Sequence, residues 1–282
     1  MAVCGVCFRH CNIEEGRIGF CGGRTARGGK VEAYNYGKIT SLALDPIEKK
    51  PLHRIFPGSM ILSVGSFGCN LRCPFCQNYE ISWSDEAKKL AGAAETVSPE
   101  ELVDIALSTR KKGNIGLAFT YNEPLIGYEF VRDAAKLSKA EGLKNVLVTN
   151  GTAELPVLEE LSPYIDAMNI DLKGFTDRYY KEVLCGDRGQ VTSFIEAAVR
   201  GCHVELTTLI VPGENDGEDE MRALSEWVSG LKNPDGDDVP LHISRFFPRF
   251  HMRDREATDV RLVYRLASIA RENLKYVYTG NC

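Results

Sequence analysis

Three cysteines on one short stretch, Cys69, Cys73 and Cys76, carry the clearest chemical signal in the sequence. They have the spacing C-x3-C-x2-C and follow an apolar segment at 60–66. Three thiolates on one loop can hold three irons of a [4Fe–4S] cluster and leave the fourth iron open to a substrate or cofactor. The alternative is a zinc ion that takes its fourth ligand from elsewhere in the chain.

A second group of cysteines lies at the N-terminus, with spacings x2, x3 and x9; its members are Cys4, Cys7, Cys11 and Cys21. Seven of the ten cysteines therefore fall into two groups, which indicates metal binding rather than dispersed structural thiols. The N-terminal group could hold zinc through four thiolates or an auxiliary iron–sulfur cluster. We interpret the isolated Cys185 and Cys202 as ordinary buried thiols, with a thiol-radical role for Cys185 as the alternative.

From about residue 60 onward, apolar segments alternate with amphipathic ones, which predicts parallel strands joined by helical crossovers. The predicted strands cover 60–66, 115–121, 145–149, 165–172, 204–211 and 241–246, and the predicted helices cover 98–112, 127–141, 153–161, 191–200, 218–231 and 257–273. A closed eight-stranded barrel would need two more such units. We therefore expect an α/β fold, a partial (β/α)6 TIM-like barrel over 59–282, preceded by a small irregular Cys-rich segment over 1–58.

Polar side chains follow several predicted strands; they are Tyr121, Asn122, Glu123, Thr149, Asn150, Asp171 and Lys173. Ligands of parallel α/β sheets bind at the carboxyl ends of the strands, so these side chains are candidates for one site. Each motif also has an ordinary interpretation, because Thr149-Asn150-Gly151 is typical of a turn and Asp171-x-Lys173 of a surface ion pair.

These motifs together resemble those of radical S-adenosylmethionine enzymes. The resemblance implies that the three cysteines of the C-x3-C-x2-C motif bind a [4Fe–4S] cluster, which reductively cleaves S-adenosylmethionine to a 5′-deoxyadenosyl radical. It also implies roles in binding S-adenosylmethionine: Phe75 beside the adenine, Tyr121, Asn122 and Glu123 near the methionine amino group, Thr149 and Asn150 near the ribose and carboxylate, and Asp171 and Lys173 near a cation or the cofactor. Glycyl radical activating enzymes have similar segments at the third and fourth strands.

A narrower resemblance covers nearly the whole chain. The N-terminal cysteines, Asp45-Pro-Ile-Glu-Lys-Lys-Pro-Leu52, Phe56-Pro-Gly58 and the cysteine loop are similar to the radical enzyme of the AmmeMemoRadiSam system, a relative of pyruvate formate-lyase activating enzymes. Members of that type continue past the equivalent of 278–281 into a tail with more cysteines, whereas this sequence ends at Cys282. The resemblance further implies a flavodoxin or ferredoxin as electron donor, and a substrate that is either a small molecule or a protein glycine.

A basic and aromatic segment, 245–255, follows the last predicted strand. Arginine suits bidentate recognition of carboxylate or phosphate, so Arg245 and Arg249 are candidates for binding an anionic small molecule or an acidic peptide. His242, on the strand itself, is a further candidate. The alternative is a solvated loop whose phenylalanines pack on the barrel.

The net charge of −5, from 34 basic and 39 acidic residues, argues against a nucleic-acid partner. No apolar segment is long enough to span a membrane, and three cysteines stand where a signal peptide would be apolar, so we expect a cytoplasmic protein with no membrane partner. The alternative to an enzyme is a zinc-bearing binding module without catalysis. That alternative does not explain the polar residues at the strand ends.

Overall fold

A computed structural model describes residues 1–282, and an eight-stranded sheet lies at its centre. The strands lie side by side in chain order: β1 Ser41–Pro46, β2 Met60–Gly65, β3 Asn114–Phe119, β4 Lys144–Thr149, β5 Ala167–Asp171, β6 His203–Ile210, β7 Leu241–Arg245 and β8 Val277–Gly280. Strands β2 to β8 are parallel, and β1 runs antiparallel to β2. The sheet is open, because β1 and β8 do not pair with each other.

Helices occupy the crossovers between the parallel strands. They are α1 Tyr79–Ser82, α2 Asp85–Leu90, α3 Pro99–Ser108, α4 Tyr128–Ala140, α5 Leu155–Leu161, α6 Arg188–Ala198, α7 Glu218–Ser229 and α8 Val260–Ala270. Helix α3 begins with a capping box formed by Ser98 and Glu101, and Pro99 takes the first helical position. Side chains such as Leu117 and Leu147 on the strands are buried in one large cluster with the apolar faces of these helices. None of the helices is long and apolar enough to cross a membrane.

The predicted fold class is confirmed, and all six predicted strands are present. The structure adds two strands to the central sheet that the sequence did not predict. Strand β8 is only four residues long, Val277–Gly280, and has no full period-two pattern of burial. Strand β1 lies inside the N-terminal segment, and its burial does not alternate regularly either.

The N-terminal segment is more ordered than predicted. It contributes the hairpins Ala2–Val3 with Asn12–Ile13 and Arg24–Arg27 with Lys30–Ala33, and its strand Lys38–Ile39 pairs with Glu95–Thr96. The division at residue 58 stays a prediction, and the central sheet crosses it through β1.

Residues 47–56, which we call the lower plug, pack under the amino ends of the parallel strands. Ile47 and Leu52 are completely buried, in a small cluster with residues of four strands: Ile61, Ala118, Val146 and Ala167. Asn169 of β5 donates a hydrogen bond to the carbonyl of Pro51 at 2.9 Å. The plug therefore fills the interior at the end of the sheet opposite to the predicted ligand edge.

The carboxylate of Glu205, on β6, has four hydrogen-bonding partners, and two of them belong to the lower plug. It accepts from the backbone N–H groups of His53 at 2.9 Å and Arg54 at 2.7 Å. The Nε2 atoms of His242 and His203 lie 2.6 Å and 3.1 Å from its oxygens. Burial alone would raise the pKa of Glu205, but these hydrogen bonds lower it to about 2. The charge on this buried side chain thus stabilises the folded protein.

Replacing this carboxylate by an amide, Glu205→Gln, should lower the free energy of unfolding by about 3 kcal/mol at neutral pH, the value of a pKa shift from 4.5 to about 2. Because Glu205 ionises at lower pH in the folded protein than in the unfolded one, its contribution is complete above about pH 4.5 and is lost as the pH falls toward 2. Urea unfolding followed by circular dichroism across this range measures both effects.

The matched control is Glu196→Gln, at an exposed carboxylate on α6. It should leave the free energy of unfolding within about 0.5 kcal/mol of wild type. If the Glu205→Gln difference does not shrink as the pH falls, the carboxylate is not what fixes the plug.

Candidate active site

The cysteine loop, residues 68–78, runs from β2 to α1 at the carboxyl edge of the sheet. Cys69 accepts hydrogen bonds at its Sγ from the backbone N–H of Leu71 at 3.5 Å and from Asn150 Nδ2 at 3.7 Å. The Ser82 side chain and the Asn78 backbone N–H lie near the Cys76 thiol. Donors directed at sulfur stabilise thiolates and suit sulfur ligands of a metal centre.

Burial raises the pKa of all three thiols of this loop, that of Cys73 to about 12, and charge repulsion from neighbouring cysteines raises the pKa of Cys69 and Cys73 further. Three thiolates this close together need a compensating positive charge, which iron supplies in iron–sulfur proteins. No three His, Cys, Asp or Glu side chains are arranged to hold a single metal ion. The ligands of a cluster do not meet at one point, since each thiolate binds a different iron.

Glu123, directly after β3, joins the ends of two neighbouring strands. Its buried carboxylate accepts hydrogen bonds from Thr149 Oγ1 at 2.7 Å, from the Asn150 backbone N–H at 2.8 Å and from the Leu125 N–H at 3.0 Å. Burial raises the pKa of Glu123 to about 7, and these donors limit the rise. Because Asn150 in turn donates to Cys69, the polar ends of β3 and β4 are connected to the cysteine loop.

Asn122 and Tyr121 also reach this edge, but protein partners occupy both side chains. Asn122 accepts from the Ser66 N–H at 3.0 Å and donates to the Gly68 carbonyl at 3.1 Å, so it holds the chain that enters the cysteine loop. Tyr121 has a positive φ of 72°, and its hydroxyl donates to Asp45 at 2.9 Å. These two residues therefore shape the site through the backbone and through β1.

Asp45 is the centre of a buried cluster of polar and charged side chains that the sequence did not predict. Lys50 and Ser63 donate to its carboxylate, each at 3.0 Å, beside the Tyr121 hydroxyl. Burial would raise the pKa of Asp45, but the Lys50 and Tyr121 hydrogen bonds hold it well below its usual range. The sequence signal was the segment 45–52, which we noted only as part of a family pattern.

Asp171 and Lys173, at the end of β5, form an ion pair at 2.8 Å. Burial would lower the pKa of Lys173, but Asp171 and the nearby Cys73 hold it well above its usual value. Lys173 therefore stays positively charged beside the cysteine loop. Both side chains are partly buried, with 18% of Lys173 and 32% of Asp171 exposed, unlike those of an ordinary surface ion pair.

The loop after β7, residues 246–256, packs on the cysteine loop; we call it the upper loop. The backbone N–H of His251 donates to the Pro74 carbonyl at 2.8 Å. Phe250 stacks on Tyr79 with ring centroids 4.5 Å apart, and the buried Phe75 meets Phe246 edge-on at 6.3 Å. The upper loop therefore covers one side of the cysteine loop.

The three predicted substrate residues do not lie together. Arg245 donates to the Thr258 carbonyl at 2.7 Å, and its guanidinium lies 4.8 Å from the Phe247 ring centroid. Arg249 is exposed on the upper loop. His242 lies at the opposite end of the sheet, bound to Glu205, because its strand register directs it toward the lower plug.

The structure also shows where the other cysteines lie. Cys202 is buried, as predicted, but Cys185 is exposed in a bend with a positive φ of 51°, so the interpretation of Cys185 as a buried thiol was wrong. The four N-terminal cysteines line one small cavity next to the cysteine loop. Sequence reasoning also missed Asn70, which donates to Thr152 at 2.8 Å and accepts from Asn150 at 3.0 Å; its position between two loop cysteines was the available signal.

Comparison with known proteins agrees with this arrangement. The family model of the Radical SAM superfamily matches residues 63–225. An uncharacterized protein of Methanocaldococcus jannaschii is 39% identical over 282 residues, which are 99% of this chain and 80% of that protein. The pyruvate formate-lyase 1-activating enzyme of Escherichia coli is 27% identical over 172 residues, 59% of this chain and 67% of that enzyme.

Among solved structures, Streptococcus suis SuiB is similar with a TM-score of 0.58 at 12% identity, over 77% of this chain and 48% of that one. This similarity supports the fold alone. The family match covers more than half of the chain and includes the cysteine loop and the strand ends described above. The chain therefore belongs to the radical SAM superfamily.

Proposed function

We propose that Cys69, Cys73 and Cys76 hold a [4Fe–4S] cluster whose fourth iron is open to S-adenosylmethionine. The observation that carries this proposal is the set of three thiols on one loop at the carboxyl edge, with N–H donors directed at sulfur and Lys173 beside them. When bound and reduced, the cluster supplies the electron that cleaves S-adenosylmethionine to a 5′-deoxyadenosyl radical. Membership in this family of enzymes speaks against the zinc-bearing binding module.

The polar strand ends are proposed to bind and orient S-adenosylmethionine. Glu123 accepts hydrogen bonds from the Thr149 hydroxyl and the Asn150 backbone N–H, which orients the end of β4 at the site. Lys173 and Asp171 supply a charge of each sign near the loop. Phe75 would lie beside the adenine, whereas Tyr121 and Asn122 would act by shaping the backbone, because protein partners occupy their side chains.

We favour a small molecule over a protein glycine as the substrate. The upper loop covers one side of the cysteine loop, through the His251–Pro74 hydrogen bond and the stacking of Phe250 on Tyr79. A protein substrate would need an open mouth wide enough for a peptide loop, and the upper loop narrows the access. Arg249 and its exposed neighbour Arg253 would favour an anionic compound.

The electron donor proposed here is a flavodoxin or ferredoxin, as for activating enzymes of this family. The narrower type proposed is the radical enzyme of the AmmeMemoRadiSam system, supported by the segment 45–52 and the N-terminal cysteines. In this segment Asp45 and Lys50 form the buried ion pair beside Tyr121. The segment therefore has a structural role close to the proposed site.

Removing one loop thiol by Cys73→Ala should abolish cleavage of S-adenosylmethionine, since the cluster would lose one of its three ligands. The measurement is 5′-deoxyadenosine, detected by mass spectrometry after anaerobic reconstitution with iron and sulfide and reduction with dithionite. Cys202→Ala is the matched control, because it removes a buried thiol far from the loop in sequence and should retain the activity. Cleavage by Cys73→Ala at the wild-type rate, with full iron content, would refute the assignment.

The substrate class can be tested by adding separated fractions of a cell extract to the reduced enzyme. We expect the fraction below about 3 kDa to increase 5′-deoxyadenosine formation severalfold, and Arg249→Ala to reduce that increase at least tenfold, the loss of one charged contact. Slow cleavage without substrate should be unchanged in the variant. Arg200→Ala, at an exposed position after α6, is the control and should behave as wild type. Stimulation by the protein fraction alone would instead favour a glycyl radical activating enzyme.

A further inference from the structure

We propose that Cys4, Cys7, Cys11 and Cys21 hold a second iron–sulfur cluster, packed against the loop that carries the first set of cysteines. We call these four residues the N-terminal cysteine group. The inference rests on the group's own geometry and does not require the proposed cluster at Cys69.

The four residues line one small cavity together with the side chains of Arg9 and Arg24. Cys4, Cys7 and Cys21 are buried, and Cys11 lies half-exposed at the rim. None of the four forms a disulfide. Thiols drawn from 4–21 thus surround one cavity, and Arg24, which pairs with Glu129 at 2.6 Å, lines the same cavity.

Polar groups lie beside two of these sulfurs. The Gly23 backbone N–H is near Cys21, and the Asn70 side chain and the Arg9 backbone N–H are near Cys7. The groups near Cys7 come from two parts of the chain, so the sulfur is placed by tertiary packing. Hydrogen bonds to sulfur are among the factors that set the properties of iron–sulfur clusters.

The backbone around the N-terminal group is held by short-range and long-range contacts. Cys4 donates its N–H to the Cys11 carbonyl at 2.9 Å, within the hairpin that Ala2–Val3 and Asn12–Ile13 form. Cys7 forms an isolated bridge with Ala153 at the start of the α5 segment. These contacts fix the backbone that carries Cys4, Cys7 and Cys11.

The N-terminal cysteine group packs directly against the cysteine loop. The backbone N–H of Cys69 donates to the Cys21 carbonyl at 3.0 Å, and Arg9 Nε donates to the Asn70 carbonyl at 2.8 Å. Gly68 has a φ of +95°, and a Cβ there would lie 2.6 Å from the Cys21 oxygen. The absence of a side chain at Gly68 thus permits the two cysteine-bearing segments to come together.

A cluster suits this group better than zinc. Four thiolates around zinc must surround one point tetrahedrally at about 2.3 Å. The N-terminal thiols are not arranged to hold a single ion, and neither are those of the cysteine loop. Iron–sulfur clusters distribute their cysteine ligands over several irons, so they accept thiols spread around a cavity.

The test is metal and sulfide analysis of the full chain, purified anaerobically and reconstituted. The deciding variant is the triple substitution Cys69→Ala, Cys73→Ala and Cys76→Ala. We expect it to retain about two to four irons per chain with equal acid-labile sulfide, because the N-terminal group is intact. Wild type should contain about four irons more than this variant. Loss of all iron and sulfide from the variant, or zinc in their place, would overturn the inference.

The reciprocal variant, Cys4→Ala, Cys7→Ala and Cys21→Ala, should retain only the iron of the cysteine loop. Since three of its positions are buried, a folding defect is checked by circular dichroism, and Cys11→Ser at the half-exposed rim serves as the second variant. Cys11→Ser should lower the N-terminal iron content, whereas Cys202→Ala should match wild type. Cys11→Ser is also combined with the triple substitution of the loop cysteines. If this combined variant is folded and contains as much iron and sulfide as the triple variant, the N-terminal cysteine group does not bind the cluster.

These results also separate the two proposals. If the N-terminal variants lose no iron while the loop variant loses all of it, this inference fails and the proposed function stands. If the loop variant keeps all the iron of wild type, the proposed function fails and the N-terminal cluster stands.

Discussion

The buried carboxylate of Glu123 is the contact on which the candidate site depends. It joins the ends of β3 and β4 by accepting from Thr149 and Asn150, and Asn150 then donates to Cys69. A carboxylate without these donors would be costly to bury, so the three parts of the site stabilise one another. The cysteine loop is thereby fixed against the strand ends.

The two ends of the sheet are stabilised in different ways. At the amino end, the charged Glu205 accepts from the backbone of the lower plug, and apolar side chains fill the interior above it. At the carboxyl end, aromatic stacking of Phe250 on Tyr79 holds the upper loop over the cysteine loop. Buried hydrogen bonds to a charge resist opening more than half-exposed stacking does, which suits a closed lower end and an upper end where ligands enter.

The N-terminal segment contributes to both ends of this arrangement. It supplies the edge strand β1, whose Asp45 contacts Tyr121, and it supplies the wall behind the cysteine loop through Cys21. Its hairpins are short, so its order depends on packing against the sheet rather than on their own pairing. We therefore expect substitutions in this segment to alter the candidate site through the Asp45–Tyr121 and Cys21–Cys69 hydrogen bonds.

The sequence by itself determined the local parts of this protein. The spacing of Cys69, Cys73 and Cys76, the alternation of strands and helices, and the polar residues after β3 to β5 could all be predicted, because each depends on residues close together in the chain. Parallel strands then bring their carboxyl ends to one edge without further information. Only the tertiary structure decided the long-range features. It pairs His242 with Glu205, exposes Cys185 and adds β1 and β8 to the sheet. It also directs the Asn122 side chain to a hydrogen bond with the Ser66 backbone. Their physical reason is shared, since strand register and burial are set by partners far away in the sequence, which no local pattern records.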